Sequence, residues 1–206
     1  MTNNKIDINQ RIPLETLQSV LESYLNDYYS DEYILEQLRL HFSGENRLKK
    51  SVRIVKKIIS NNPIIDIIDA NREQTLSAIK SKSDRNVILM ALLNGSFVFS
   101  YDLLSILGKL FKVQEFVNRE ALTKEISKIY GSNRSLPNAI DSVIPMYIEA
   151  GFFSRPAPGL YEFKEAINLT NEISQKIYIE SFKVHNANNE IQAYQLNDPY
   201  FEFLAL

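Results

Sequence analysis

The sequence predicts a mainly α-helical, multi-helix protein with helix-turn-helix-like elements and a small winged β-hairpin. Three observations lead to this prediction. Apolar residues recur at helical spacing along most of the 206 residues. The six glycines and seven prolines fall mostly where one helix should end and another begin. One stretch, residues 135–163, combines a helical pattern with strand-like composition around a turn rich in proline and glycine.

Two helices are predicted before the first glycine. Pro13 begins the first, because a proline in the first helical turn removes no hydrogen bond, and apolar residues from Leu14 to Tyr28 follow at helical spacing. Ser30 or Asp31 is a suitable N-cap for the second helix. The turn SGEN at residues 43–46 ends it.

A third helix follows that turn and ends near Asn61-Asn62-Pro63, since the residue before a proline disfavours the α conformation. We divide the chain at this point. Residues 1–62 form an N-terminal helical region with a helix-turn-helix-like basic helix. Residues 63–206 form a helical core with a winged-helix-like segment and a C-terminal tail.

Several further helices are predicted in the middle of the chain. They are PIIDIIDA at 63–70, REQTLSAIKSK at 72–82, DRNVILMALLNG at 84–95 and SFVFSYDLLSILGKLF at 96–111. Ser83 is the expected cap of the third of these, and Gly95 its expected end. The fourth is apolar around its whole circumference, which is typical of a buried central helix. The next helix runs from Asn118 to Tyr130, with Gly131 as its C-cap.

Residues 135–163 have the chain order of a winged helix-turn-helix. A helix at 136–150 is followed by two short strand-like stretches, Phe152-Phe153 and Leu160–Phe163. Pro156, Pro158 and Gly159 supply the turn between them. The alternative is any helix packed against a two-stranded ribbon.

The C-terminal part predicts one more helix, TNEISQKIYIESFKV, capped by Thr170. HNANNEIQ at 185–192 is interpreted as a loop, and Asp198 as the cap of a last aromatic turn, PYFEFL.

Composition excludes several classes of protein. Without cysteine there are no disulfides and no thiolate metal sites. The N-terminus has no apolar stretch typical of a signal peptide, and the longest apolar run, residues 87–93, is much shorter than a bilayer span. We therefore expect a soluble, cytoplasmic protein with no membrane partner. The net charge of −2 permits only a local basic surface.

Such a surface is predicted on the third helix, in the stretch NRLKKSVRIVKKII. Its basic residues are Arg47, Lys49, Lys50, Arg53, Lys56 and Lys57. Most of them fall on one side of the helix, opposite an apolar side, although a solvated helix usually mixes charges of both signs. A phosphate backbone would favour this arrangement by counterion release. The alternatives are a solvated face neutralised by Glu32, Glu36 or Glu45, and an acidic protein partner.

The helix in the recognition position of the winged segment has a different character. Residues 136–150 contain Asp141 and Glu149 but no Lys or Arg, and Pro145 should kink the helix. The polar residues that could still reach a base or a phosphate are Asn133, Arg134, Asn138 and Arg155. Arg134 and Arg155 are therefore weaker candidates for DNA contacts.

No catalytic constellation is recognisable in the sequence. There is no phosphate-binding loop, no nucleophile elbow and no dinucleotide fingerprint. His41 and His185 lack metal-type spacing. We therefore expect neither an enzyme nor a bound metal or cofactor.

The order of these segments resembles the BrxA family of BREX bacterial phage-defence systems. The matching pieces are LETLQSVLESYL, ENRLKKSVRIVKKI, NVILMALLNGSFVFSYDLLSIL and NAIDSVIPMYIEAGFF, within residues 12 to 163. The resemblance implies an α-helical protein with helix-turn-helix-like elements, no enzymatic activity, and binding to double-stranded DNA within a defence system. It assigns no individual contact residues.

The leading hypothesis is therefore a non-catalytic protein that binds double-stranded DNA mainly through phosphates. The rival is an adaptor that joins other proteins of a defence complex, with the basic surface facing an acidic partner. RNA binding is a third hypothesis, which the sequence does not separate from the first.

Overall fold

The computed structural model describes residues 5–186 and 191–206, and within them the protein is mainly helical, as predicted. Ten α-helices are present in the described residues: α1 Leu14–Leu25, α2 Asp31–Arg39, α3 Glu45–Ile58, α4 Ile65–Ala70, α5 Arg72–Ala78, α6 Lys82–Ser96, α7 Val98–Phe111, α8 Arg119–Tyr130, α9 Leu136–Ala150 and α10 Glu172–Asn186. Two short 3₁₀ helices follow, at Ala193–Asn197 and Pro199–Phe201.

Five short strands accompany the helices in the described residues. They are β1 Phe116–Asn118, β2 Ser154–Ala157, β3 Leu160–Glu162, β4 Ile167–Asn168 and β5 Leu204–Ala205. The first three form an antiparallel sheet in the order β1-β3-β2, and β4 pairs with β5 in parallel.

The N-terminal helices follow the predicted pattern closely. Ser30 is the N-cap of α2, because its hydroxyl accepts a hydrogen bond from the backbone N–H of Tyr33 at 3.1 Å. The turn before α3 is shorter than the predicted SGEN turn, because α3 already begins at Glu45. Gly44 precedes it with a φ of 94°, a conformation that glycine adopts without strain.

Helix α6 differs from its prediction at both ends. It begins at Lys82, so Ser83 lies inside the helix and is not its cap. It also continues through Gly95 to Ser96. Gly95 is therefore not a helix end but a point of close packing: a Cβ atom there would lie 3.1 Å from Oδ1 of Asn62.

The winged-helix-like segment is more complete than the sequence indicated. Helix α7, strand β1, helices α8 and α9, and the hairpin β2–β3 follow one another in the chain. Strand β1 was not predicted; its Val117 pairs with Tyr161 of β3. Helix α9 has the predicted bounds and continues through Pro145 to Ala150.

The predicted first strand of the hairpin was wrong. Phe152 and Phe153 belong to the buried core, and β2 begins only at Ser154. Pro156 lies within β2 and not in the turn, which is compatible with pairing because β2 is an edge strand of the sheet. The turn is Pro158-Gly159, where Gly159 has a φ of 72°.

The turn that precedes helix α10 is held by another part of the chain. The Asp84 carboxylate of α6 accepts hydrogen bonds from the Thr170 hydroxyl at 2.5 Å and from the Asn171 backbone N–H at 3.0 Å. Thr170 is thus a donor to a buried carboxylate and not the predicted side-chain cap. Burial raises the pKa of Asp84, but hydrogen bonding to the hydroxyls around the carboxylate (Thr170, Ser174 and Ser81) and to the Thr170 backbone together outweighs it, and the pKa falls to about 2.

The predicted loop HNANNEIQ is only partly within the described residues. His185 and Asn186 are the last residues of α10, whereas positions 187–190 lie outside the described residues. The following aromatic segment turns back into the core, where Tyr200, Phe201 and Phe203 are buried. Asp198 caps its 3₁₀ helix as predicted, by accepting from the N–H of Tyr200 at 2.9 Å.

In residues 5–186 and 191–206 no single helix is long and apolar enough to cross a membrane. Helices α6 and α7 together would have that length and composition, but they are bent by 119° relative to each other. Most of their residues are buried inside the protein.

Candidate nucleic-acid interface

Helix α3 presents its predicted basic face to solvent. Its buried side is formed by Leu48, Ser51, Ile54, Val55 and Ile58. With 3.6 residues per turn, Arg53 lies about 160° from the centre of that buried side, so its side chain occupies the middle of the exposed face. By the same geometry, Lys49 and Lys56 lie on one flank of Arg53, and Lys50 and Lys57 on the other.

The C-terminal end of α3 is fixed to α6 by buried polar contacts. The Asn62 amide donates to the carbonyl oxygens of Ile58 and Leu92, at 2.5 and 2.8 Å. The Ser96 hydroxyl donates to the carbonyl oxygen of Lys57 at 2.6 Å. Because these bonds connect α3 directly to the core, the basic face has a fixed orientation relative to the rest of the molecule.

Two of the six basic residues are paired with carboxylates. The Lys56 ammonium donates to both oxygens of Asp31 at the start of α2, at 2.8 and 2.9 Å. This hydrogen bond raises the pKa of Lys56. Lys57 forms an ion pair with Asp7, which precedes α1. Both lysines keep part of their side-chain surface exposed, at 34% and 40%.

Aromatic rings hold two of the cations. The guanidinium carbon of Arg47 lies 4.5 Å from the centre of the Phe42 ring, and the Lys57 nitrogen lies 4.3 Å from the centre of the Phe97 ring. These distances are typical of cation–π contacts, which limit the freedom of a side chain while leaving its charge in place.

Lys49, Lys50 and Arg53 are exposed. In the part of the chain that the structure describes, none of the three lies within ion-pair distance of a carboxylate. Under the alternative of a neutralised face, Glu32, Glu36 or Glu45 would pair with α3. They form no ion pair with it there, and Asp31 and Asp7 partly fill that role instead. The basic surface is therefore partly neutralised at Lys56 and Lys57, toward the C-terminal end of α3, and keeps its positive charge at Lys49, Lys50 and Arg53.

The winged segment presents a different surface. On α9, Asp141 forms an ion pair with Arg119, and Glu149 accepts from Arg11 at 2.8 Å and from the backbone N–H of Leu14 at 3.1 Å. The acidic side chains of this helix thus stabilise its packing. Arg134 and Arg155 are exposed, but they belong to the turn before α9 and to β2, and not to the basic face of α3.

Two polar residues near the basic face were missed by the sequence interpretation. Lys5 and Asn9 lie before α1 and line the same cleft as Lys50, Arg53 and Lys57. The segment that contains them has no periodic pattern, so nothing in the sequence indicated its proximity to α3.

Both histidines contact neighbouring groups of the protein. Nε2 of His185 donates to the carbonyl oxygen of Asn94 at 2.7 Å, and burial lowers its pKa. His41 lies at the end of α2, 4.0 Å from a Glu15 oxygen. Among residues 5–186 and 191–206, no three His, Cys, Asp or Glu side chains gather in a way that would hold a metal ion.

Comparison with known protein families, with curated proteins and with solved structures finds no match to this chain. The assignment of a function therefore depends on the surface itself and on the resemblance of segment order described above.

Proposed function

We propose that the protein is a non-catalytic double-stranded DNA-binding protein that contacts phosphates through the basic face of α3. The observation that carries this proposal is the position of Arg53. It lies at the centre of an exposed helix face between Lys49 and Lys50, and no carboxylate pairs with these three residues within the described chain.

The like charges on the exposed face of α3 favour contact with a polyanion over exposure to solvent. Neighbouring like charges on a helix repel one another, and opposite charges four residues apart would have stabilised it by about 0.2–0.5 kcal/mol per pair. A phosphate backbone removes this repulsion and releases condensed counterions on binding. Contacts of this kind position a protein on a duplex without reading its sequence, so we expect little sequence preference.

The first test is duplex binding across a salt series, with two unrelated DNA sequences and an RNA duplex of the same length. The proposal predicts similar affinities for the two DNA sequences and a steep loss of affinity with salt, because several phosphates are neutralised at once. Tighter binding of the RNA duplex would favour the RNA-binding hypothesis. Absence of DNA binding at low salt would refute the proposal.

The second test reverses the central charges. The triple variant Lys49→Glu, Lys50→Glu and Arg53→Glu should lose DNA binding and keep its fold, because all three side chains are exposed. A matched control is Lys80→Glu, Lys82→Glu and Lys176→Glu, which changes the net charge equally at exposed positions away from α3. Equal losses in both variants would mean that net charge, and not the α3 surface, governs binding.

The place of the protein in a defence system is proposed on the resemblance alone. We place the protein in the cytoplasm, as a component of a BREX phage-defence system that contacts other defence proteins. The adaptor function is the second candidate, and one observation favours it: Val113 and Phe116, on either side of the turn into β1, are 80% and 44% exposed although both are apolar.

A further inference from the structure

A cleft of about 340 Å³ lies beside the basic face of α3. It is bounded by the segment before α1, by one flank of α3 and by Phe97 at the junction of α6 and α7. Four of its lining side chains are cationic: Lys5, Lys50, Arg53 and Lys57. Concave sites of this size are typical of small-ligand binding.

The lining has a large excess of positive charge. Among the described residues, Asp7 supplies the one carboxylate of the cleft and pairs with Lys57. Four cations and one carboxylate leave a formal charge of +3. Because charges of one sign in a concave site focus the electrostatic field, this cleft should concentrate anions more strongly than the rest of the α3 surface.

The cations differ in how firmly they are held. Lys57 is fixed by Asp7 and by the buried ring of Phe97, 4.3 Å from its nitrogen. Lys5, Lys50 and Arg53 are exposed lining residues, and none of them forms an ion pair among the described residues. Arg53 follows Lys50 by three residues and Lys57 follows Arg53 by four. At 1.5 Å per residue, the three cations form a row about 10 Å long on one helix.

These features fit a phosphate with more than one negative charge. A phosphodiester inside a strand carries a single charge, whereas a phosphate monoester carries about −1.5 to −2 and offers three acceptor oxygens. The Arg53 guanidinium can bind two of these oxygens side by side. Asn9 also lines the cleft, and its amide adds a neutral donor.

We propose that this cleft binds a multiply charged phosphate group, either the terminal phosphate of a nucleic-acid strand or the phosphates of a free nucleotide. The first source rests on the proposed function, because α3 would then contact the same nucleic acid along its length. The second source requires only the cleft.

The test compares two short duplexes of one sequence, with 5′-phosphate or 5′-hydroxyl ends, and measures ATP and tripolyphosphate binding by calorimetry. The cleft variant is Lys5→Glu, which lies outside α3. The matched variant is Lys49→Glu, on the opposite flank of α3 and outside the cleft.

If the strand end is the ligand, the phosphorylated duplex binds about tenfold more tightly than the hydroxyl-ended duplex, as expected for one additional charged hydrogen bond. Lys5→Glu removes this difference, and Lys49→Glu weakens both duplexes but keeps it.

Equal binding of the two duplexes, together with ATP or tripolyphosphate binding that Lys5→Glu weakens, assigns the cleft to a free nucleotide. The proposal is overturned if the duplexes bind equally and the polyphosphates bind poorly or are unaffected by Lys5→Glu. In that case the proposed function would still be supported if the protein binds duplex DNA and Lys49→Glu weakens that binding. Conversely, if the polyphosphates bind and neither duplex does, the proposed DNA-binding function is refuted, and the proposal that the cleft binds phosphate groups is supported.

Discussion

At the scale of single residues, neighbouring cations on one helix are not equivalent. Lys56 is bound by Asp31, whereas Arg53, less than a turn away, has no such partner among the described residues. A phosphate that binds Lys56 must compete with Asp31, whereas a phosphate that binds Arg53 displaces no carboxylate of the described residues. Arg53 also offers a planar fork of donors that matches a phosphate, which a lysine does not.

This difference leads to a prediction for single substitutions. Arg53→Ala should lower duplex affinity about tenfold and reduce the slope of log affinity against log salt by about 1, as for one lost phosphate contact. Lys56→Ala should have a smaller effect, because part of its charge is already neutralised in the free protein. Both quantities can be measured by fluorescence anisotropy across a salt series. Equal effects of the two substitutions would contradict the central position given to Arg53.

At the scale of helices and strands, the two helix-turn-helix-like units have different surfaces. Helix α3 is basic on its exposed face, whereas α9 uses Asp141 and Glu149 to pair with Arg119 and Arg11. The winged segment has the chain order of a DNA-reading domain. On its helix α9, however, the exposed carboxylates are paired with arginines, which leaves Asn138 as the exposed group best suited to read base edges. We therefore expect α9 to contribute to packing more than to recognition.

Substitution of Asn138 tests this division. Asn138→Ala, with Arg134→Ala as a second variant, should change duplex affinity less than twofold, because neither residue belongs to the α3 surface. The comparison is made against Arg53→Ala under the same salt conditions. A loss as large as that of Arg53→Ala, or a new dependence on DNA sequence, would identify α9 as a recognition helix.

Long helices with a clear apolar side were predictable from the sequence, as α9 illustrates with its predicted bounds. The short strand β1 was not, because its three residues are a strand only through pairing with β3, more than forty positions later. The basic face of α3 was predictable in the same way, because its residues recur at helical spacing within one short stretch of sequence. Their partners Asp31 and Asp7, and the cleft residues Lys5 and Asn9, come from other segments and required the tertiary structure.

At the scale of the whole molecule, the C-terminal segment is part of the core. The Asn94 amide of α6 donates to the Tyr200 hydroxyl at 3.0 Å, and its carbonyl oxygen accepts from Tyr147 of α9 at 2.5 Å. Gly108 of α7 lies directly under this segment: a Cβ atom there would be 1.9 Å from the carbonyl oxygen of Pro199. The contact exists only because residue 108 has no side chain.

Gly108→Ala should therefore destabilise the protein, by about 1–3 kcal/mol, because the clash is with backbone and the segment must move away. The free energy of unfolding, measured by chemical denaturation, tests this. Lys109→Ala on the exposed side of the same helix is the control and should have little effect. A Gly108→Ala variant as stable as the control would show that the segment is not fixed to α7.

The docking of this aromatic segment has a consequence for synthesis on the ribosome. Helices α6, α7 and α9 leave the exit tunnel well before Tyr200. The buried polar network that Asn94, Ser100 and Tyr147 form between these helices nevertheless lacks one hydrogen bond until Tyr200 arrives. Domains usually fold as units during translation, and here the unit is completed by residues translated after α10. A nascent chain that has emerged only as far as α10 thus leaves the Asn94 amide without its Tyr200 partner.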